Sequence, residues 1–204
     1  MKTKRPMVGT LFTRLCLCAS FPMGACGGSA GQQRQQVDDV SKAPALQQAE
    51  AAHAGTSVAA GRDLSEVLVD AHNHYRADHG ASPLTWSNTL ASVAQSWADR
   101  LLADGCRLVH SDGDTYGENL FFGGPPGAFG PEKAVDTWYS EVKDYSFNDP
   151  GFSMKTGHFT QVVWRGTREV GCGASVCPSG DIVVCNYSPP GNVRGEYTEN
   201  VLRK

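Results

Sequence analysis

Gly157-His158-Phe159-Thr160-Gln161-Val162-Val163-Trp164 is the stretch of this sequence that decides how the chain folds. It is rich in apolar β-branched and aromatic side chains, which suit the packed surface of a sheet, so we expect a buried strand over Phe159–Trp164. His158 would then lie at the edge of a rigid element. An imidazole there is held in the fixed position that a metal site or a proton transfer needs.

Three further residues with reactive side chains lie upstream of this stretch, namely His110, Glu118 and Glu141. Glu141 falls on or beside the buried face of a predicted helix, where a carboxylate is rarely found without a partner. His158 is the partner that would explain this position. The four side chains form one site only if the fold brings them together.

The composition indicates one globular domain with additional segments. The chain has 204 residues, of which 40% are hydrophobic, and this is enough for a single core of ordinary size. Its formal net charge is -3, so it lacks the basic field that binding to duplex nucleic acid requires. We therefore expect no nucleic-acid partner.

Residues 1–25 have the pattern of an export signal. Basic residues precede an apolar segment, Leu15–Met23, which is too short to span a bilayer. Met23-Gly24-Ala25-Cys26 resembles a bacterial lipobox, in which Cys26 becomes the lipidated N-terminus and anchors the protein to a membrane. The alternative is an ordinary secretory signal that is cleaved nearby and leaves Cys26 as a free thiol. Both interpretations place the mature protein outside the cytoplasm, in the cell envelope or secreted.

Residues 26–61 are rich in Gly, Ala, Ser and Gln and contain no aromatic residue. Such a segment cannot bury enough apolar surface to offset the entropy lost on ordering. We predict a flexible tether here, followed by a folded domain over residues 62–204.

Four cysteines remain once the signal and the lipobox cysteine are set aside, namely Cys106, Cys172, Cys177 and Cys185. An even number in an exported chain predicts two disulfide bonds, for which three pairings are open. Metal ligation is the alternative interpretation. It is disfavoured because Cys172 and Cys177 lack the close spacing of a zinc knuckle.

Three helices are predicted in the first two thirds of the domain. Asp63 is placed to cap a helix over Leu64–His79, and Asn88–Asp104 has the most regular amphipathic pattern in the chain. The third helix is expected over Pro131–Val142, since proline is favoured at the first helical position. His72, on the first helix, is interpreted as a buried structural group.

The segment His110–Gly130 is rich in Gly, Asp and Pro and is predicted to be a loop. Two alternatives are open for its apolar residues. They either close over the core or face a ligand beside the polar side chains. The residues are Leu120, Phe121, Phe122 and Phe129.

The last third of the domain is predicted to be a sheet. Besides the strand at its start, we expect strands over Glu169–Ala174 and Ile182–Tyr187. Pro178-Ser179-Gly180 would join these two as an antiparallel hairpin, across which Cys172 and Cys185 would face each other.

Four segments together resemble the signatures of the CAP superfamily, also called the SCP domain. This family contains the cysteine-rich secretory, antigen five and pathogenesis-related group one proteins. The resemblance extends over about residues 64–200, and its last two segments are the most specific. The segments are His72-Asn73-His74-Tyr75-Arg76, Gly117-Glu118-Asn119-Leu120, Gly157-His158-Phe159-Thr160-Gln161-Val162-Val163-Trp164 and Val183-Val184-Cys185-Asn186-Tyr187-Ser188-Pro189-Pro190-Gly191-Asn192.

The resemblance implies an α+β fold, a three-layer α-β-α sandwich with a central, mostly antiparallel sheet. It implies a cleft lined by a tetrad of two His and two Glu, in which the two His bind a divalent ion, commonly zinc. The tetrad here is His110, Glu118, Glu141 and His158. The implied disulfide pairings are Cys106–Cys177 and Cys172–Cys185.

The chemistry of the tetrad is consistent with a metal site of modest affinity. Two neutral imidazoles suit zinc, and water would fill the remaining positions. A nearby Glu would orient a ligand or accept a proton from metal-bound water. Two protein ligands are fewer than the three usual in catalytic zinc sites.

Three functions are compatible with this pattern. The first is an exported binding module for a lipid, a sterol, a glycan or an extracellular protein, with the divalent metal in its cleft. The second is a metal-dependent, protease-like hydrolase with Glu118 and Glu141 as candidate catalytic residues. The third is a purely structural tetrad. We favour the binding module, because the sequence contains neither a nucleophile elbow nor a two-His helical zinc motif.

Overall fold

The structure, a computed structural model, describes residues 62–113 and 115–204. The predicted signal over residues 1–25, the tether over 26–61 and the lipidation site Cys26 lie outside the described residues. Within the described ranges, no helix combines the length and the apolar character needed to cross a membrane.

Five α-helices and four strands are present in the described part of the chain. The helices are α1 (Leu64–Asp78), α2 (Asn88–Ala103), α3 (Glu132–Tyr139), α4 (Gly157–Val163) and α5 (Tyr197–Asn200), and a 3₁₀ helix over Ser140–Asp144 follows α3. The strands are β1 (Thr85–Trp86), β2 (Gly117–Gly123), β3 (Glu169–Cys177) and β4 (Gly180–Ser188). The first two helices agree with their predicted ranges to within one residue.

The four strands form one sheet in the order β1-β3-β4-β2, so that β2 is an edge strand. β1 pairs parallel to β3, whereas the other two pairings are antiparallel. α2 packs on β3 and β4, while α1, α3 and α4 pack against one another. Gly171 and Gly173 let α2 approach closely, because a Cβ at either position would collide with the α2 backbone. The predicted sandwich with a mostly antiparallel sheet is confirmed.

Two disulfide bonds cross-link secondary-structure elements within the described domain. Cys106–Cys177 joins the segment after α2 to the end of β3, with a Cα–Cα distance of 6.2 Å. Cys172–Cys185 joins directly opposite positions of β3 and β4, with a Cα–Cα distance of 4.1 Å. These are the pairings that the family resemblance implies, and the second shows that the predicted hairpin has the expected register.

The expected strand over Phe159–Trp164 is wrong, because this stretch forms helix α4. All six of its residues are buried. A short apolar run that is buried all round lacks a polar face, so its periodicity does not distinguish a strand from a helix. Its β-branched and aromatic composition therefore favoured a strand. Tertiary contacts override that preference and stabilise a helix.

Side chains from other elements hold both ends of α4. Glu141 Oε2 accepts hydrogen bonds from two consecutive backbone amides, those of His158 and the residue after it, each at 3.1 Å. At the other end, the buried Arg76 donates to the carbonyls of Val162 and Trp164, each at 2.9 Å. The first amides and last carbonyls of a helix have no partners within it, so these contacts stabilise the helical state.

Two further predictions need correction. The expected loop His110–Gly130 contains strand β2, which pairs with β4 along its whole length. Glycine-rich sequence near this strand favoured a loop, and the pairing of the strand with β4 is a long-range interaction that local sequence does not indicate. The third helix leaves α-geometry at Tyr139 and continues as the 3₁₀ helix, so that Glu141 lies in this 3₁₀ helix rather than in the predicted Pro131–Val142 helix.

Strand β2 also decides between the two alternatives for the apolar residues. Leu120 is buried, and Phe121 packs against the core. Phe122 and Phe129 remain exposed, by 37% and 49%. The first two residues therefore close over the core, and the other two present apolar surface to the outside.

Candidate functional site

His158 and Glu141 form the first pair of the candidate site. Oε1 of Glu141 bonds to Nδ1 of His158 at 2.7 Å, while Oε2 accepts the amides at the start of α4. The carboxylate is therefore fully engaged, which explains why it lies mostly buried, with 21% of its side chain exposed. The imidazole stacks near Trp138 with ring centroids 6.3 Å apart. Its Nε2 is the ring nitrogen left for a ligand.

His110 and Glu118 form the second pair. Oε1 of Glu118 bonds to Nδ1 of His110 at 2.7 Å and accepts the backbone amide of Ser111 at 2.9 Å. The hydrogen bond to Glu118 raises the pKa of His110 against the opposing effect of burial. Burial raises the pKa of Glu118, but the hydrogen bonds from His110 and Ser111 outweigh it, and the pKa lies below its ordinary value. Both shifts have one shared cause, the hydrogen bond between the two side chains.

A hydrogen-bond network centred on Asn119 extends from His158 to the buried Tyr187 and His72. Asn119, the neighbour of Glu118, donates to the His158 carbonyl at 3.2 Å and to the Tyr187 hydroxyl at 3.3 Å. That hydroxyl lies 2.8 Å from Nε2 of His72, whose Nδ1 lies 2.7 Å from a backbone carbonyl. A carbonyl only accepts, so Nδ1 carries the proton and Nε2 accepts from Tyr187. Burial lowers the pKa of His72 to about 4, which keeps the ring neutral as the network requires.

The two pairs lie on opposite faces of strand β2. Glu118 and Asn119 are consecutive residues of the strand, and successive side chains of a strand point to opposite faces. Glu118 faces the α2 side together with His110, whereas Asn119 faces α4 and His158. β2 is an edge strand, so both pairs lie beside the same open edge of the sheet. The structure thus pairs each predicted histidine with one of the predicted glutamates.

The donor set fits a metal ion in part. Each imidazole is oriented through Nδ1 by a carboxylate, which is the arrangement that fixes metal-binding histidines in proteins. Across residues 62–113 and 115–204, however, no three His, Cys, Asp or Glu side chains form a group that could hold a metal ion. Each pair therefore offers one imidazole nitrogen, from His110 or from His158. These two nitrogens alone do not complete the coordination shell of a metal ion.

An open cavity of about 680 Å³ adjoins His110 and Glu118. One wall is α2, which contributes Trp97, and the floor is the Glu118–Asn186 pair of adjacent strands. Trp97 is fixed because its Nε1 donates to a backbone carbonyl at 3.0 Å. This volume is within the range of small-molecule sites.

Asn119, Asn186 and Tyr187 are site residues that the sequence reasoning did not assign, although all three stand in the quoted signature segments. Side chains alternate between the two faces of β2 and β4, and this alternation decides which residues face the site. Because β2 was predicted to be a loop, this alternation was not available from the sequence. His72, interpreted as a buried structural group, is fully buried. Its bond to Tyr187 shows that it also supports the site.

Comparison with known proteins places this geometry in context. Residues 69–187 match the family model of the cysteine-rich secretory protein family, CAP. The chain is 49% identical over 132 residues to pathogenesis-related protein 1A of Nicotiana tabacum, covering 63% of this chain and 76% of that protein. It is 48% identical over 143 residues to protein PRY2 of Saccharomyces cerevisiae, covering 69% of this chain but only 41% of that protein.

Solved structures share the fold. Venom allergen-like protein 4 of Schistosoma mansoni superposes with a TM-score of 0.52 at 27% identity, covering 69% of this chain and 93% of that one. The crystal structure of NaASP2 with Zn²⁺ superposes with a TM-score of 0.56 at 23% identity, covering 69% of this chain and 85% of that one.

Proposed function

Since the chain belongs to the cysteine-rich secretory protein family, CAP, we propose that it is an exported binding domain with its cleft along the edge of strand β2. In this proposal His110 and His158 hold a divalent metal ion, with zinc as the first ion to test. A bound metal ion would supply a Lewis acid in the cleft. The chain's own residues orient the two imidazoles and present the adjoining cavity to a ligand.

The observation that carries the proposal is the common geometry of the two pairs. In each, a glutamate oxygen lies 2.7 Å from Nδ1 and so directs Nε2 to the outside. His110 is 61% exposed and His158 is 33% exposed in their side chains, so both rings are accessible. A purely structural network would have no need of accessible imidazoles.

The extracytoplasmic location is supported by the two disulfide bonds, because such bonds persist in oxidising compartments. The membrane anchor at Cys26 remains part of the proposal. A lipid or sterol is the second ligand class that we propose, supported by the exposed Phe122 and Phe129 beyond the cleft. An extracellular protein is the alternative partner for the same apolar surface.

The test is a calorimetric titration of the purified chain with zinc chloride, for the wild type and for His110→Ala, His158→Ala and the double variant. His74→Ala is the matched control, because His74 is an exposed histidine of α1 outside the cleft. We expect a heat of binding in the wild type and in the control, and its loss in the double variant. If the wild type gives no heat, or the double variant binds as well as the wild type, the metal-site proposal is rejected.

The two single variants distinguish one shared site from two separate ones. Loss of all zinc binding in either single variant indicates that the two imidazoles act on one ion. Loss of half the stoichiometry in each indicates two independent single-imidazole sites. Thermal unfolding of the same variants without zinc measures any purely structural contribution of the pairs.

A further inference from the structure

The cavity beside Glu118 contains one polar atom to which the described residues supply no hydrogen-bond partner. Glu118 has only 8% of its side chain exposed, yet no hydrogen bond reaches its Oε2 from any residue that the structure describes. The other oxygen, Oε1, is fully used by His110 and Ser111. Leaving a buried carboxylate oxygen without a donor is unfavourable, so a ligand that supplies a donor to this oxygen is favoured.

Asn186 provides a second polar group at the same place. It lies directly opposite Glu118 in the β2–β4 register, is only 2% exposed and lines the cavity. Directly opposite residues in an antiparallel pair have Cβ atoms about 4.5–5.5 Å apart. A carboxylate acceptor and an amide, which both donates and accepts, therefore stand side by side at the floor of the cavity. This spacing suits two neighbouring hydroxyl groups of one ligand.

The walls of the cavity are aromatic. Trp97 on α2 and Tyr116 before β2 both line it and are half-buried, so each exposes only part of its side chain to the space between them. Their rings would pack against the flat, apolar face of a ligand ring. Aromatic walls above neighbouring polar groups match a molecule that has hydroxyl groups at its edge and C–H groups on its face.

Side chains of both charge signs line the cavity. Arg100 is positive, although it is also paired with Asp104 at 3.7 Å, and Glu118 and Asp112 carry carboxylates. Arg100 opposes a cationic ligand, and the two carboxylates oppose an anionic one. A cavity lined by both signs therefore suits an uncharged molecule.

We propose that this cavity binds a neutral saccharide, with the hydroxyl groups of one sugar ring on Glu118 and Asn186 and its face against Trp97. This inference deepens the proposed function, because it names a ligand class for the cavity beside the His110–Glu118 pair. It requires no metal ion.

The test measures binding of cellotetraose, mannotetraose and chitotetraose to the purified full chain by calorimetry, in buffer containing EDTA. We expect at least one of them to bind, and Trp97→Ala to weaken that binding about tenfold. The matched control is Trp86→Ala, because Trp86 is a half-buried tryptophan outside the cavity whose Nε1 also donates a hydrogen bond.

A second variant keeps the test decisive if Trp97→Ala fails to fold. Ser96 is an exposed residue of α2 that lines the cavity, so Ser96→Phe fills the space without disturbing the core. We expect it to abolish saccharide binding. Absence of binding by all three saccharides overturns the proposal, as does equal binding by the wild type and Ser96→Phe. Because EDTA removes metal ions, this result is independent of the zinc titration.

Discussion

The Glu141 carboxylate forms hydrogen bonds with two groups of His158, the ring nitrogen Nδ1 at 2.7 Å and the backbone amide at 3.1 Å. One side chain thus both caps helix α4 and orients the imidazole at its start. The candidate site and the stability of α4 are therefore coupled through a residue from the 3₁₀ helix that follows α3.

This coupling predicts the effect of Glu141→Ala. The substitution leaves two helix amides without an acceptor and frees the imidazole, so we expect the free energy of unfolding to fall by about 2 kcal/mol. Urea denaturation measures the change. Glu132→Ala is the control, because Glu132 is an exposed acidic residue in the first turn of α3, and its removal should cost no more than about 0.5 kcal/mol. Equal losses in the two variants would contradict the capping role.

A second prediction concerns the pH dependence of stability through His72. Burial lowers the pKa of this histidine from 6.5 to about 4, so between these values the unfolded chain binds a proton that the folded chain does not. The free energy of unfolding therefore decreases as the pH is lowered, with a contribution from His72 of about 2 kcal/mol between about pH 7.5 and pH 5.

The measurement is urea denaturation at both pH values for the wild type and for His72→Gln. We expect the variant to lose this part of the acid sensitivity, although it is less stable at neutral pH because of the altered network. His74→Gln, at an exposed position of the same helix, should retain the wild-type pH dependence. An unchanged pH dependence in His72→Gln would show that burial does not lower the pKa of His72 in the folded state.

A third prediction concerns the His110–Glu118 pair. The hydrogen bond to Glu118 raises the pKa of His110, so in Glu118→Gln this pKa should fall toward its ordinary value. Titration followed by NMR of the imidazole resonances measures the shift. Glu141→Gln, which alters the other pair, should leave the pKa of His110 as it is in the wild type. If Glu118→Gln has no effect, the hydrogen bond is not formed in solution.

The same pair contributes stability over a defined range of pH. The contribution of His110 is full below the ordinary histidine pKa and is lost as the pH rises through its raised value in the folded state. The contribution of Glu118 is present above the ordinary carboxyl pKa and is lost as the pH falls through its lowered value. The pair is therefore most stabilising between the two ordinary pKa values.

A fourth prediction concerns the packing of α2 on the sheet. A Cβ at Gly173 would collide with the backbone of Gln95, which cannot move aside as a flexible side chain can. We expect Gly173→Ala to lower the free energy of unfolding by about 2–3 kcal/mol. Gly151→Ala is the matched control, since a Cβ there meets nothing within 4 Å. Chemical denaturation compares them, and a Gly173→Ala protein as stable as the control would mean that α2 packs less closely than the structure shows.

The accuracy of the sequence interpretation differs between elements for physical reasons. The ranges of α1 and α2 were predicted to within one residue, because both are partly exposed and their apolar periodicity is local. The α4 stretch is buried all round, so its identity depended on Glu141 and Arg76, which lie far away in sequence. Strand β2 was missed because its pairing with β4 is a long-range interaction.

The sequence by itself determined the family, because its signature segments are residue types at set spacings. The resemblance to that family in turn implied the sandwich architecture and the four candidate residues. Only the tertiary structure decided that the four form two pairs on opposite faces of β2, since the alternation of Glu118 and Asn119 has meaning only once the strand is placed in the sheet. It alone also placed Asn186 opposite Glu118 beside Trp97. Hydrogen bonding between distant segments sets these positions, and local sequence patterns carry no record of it.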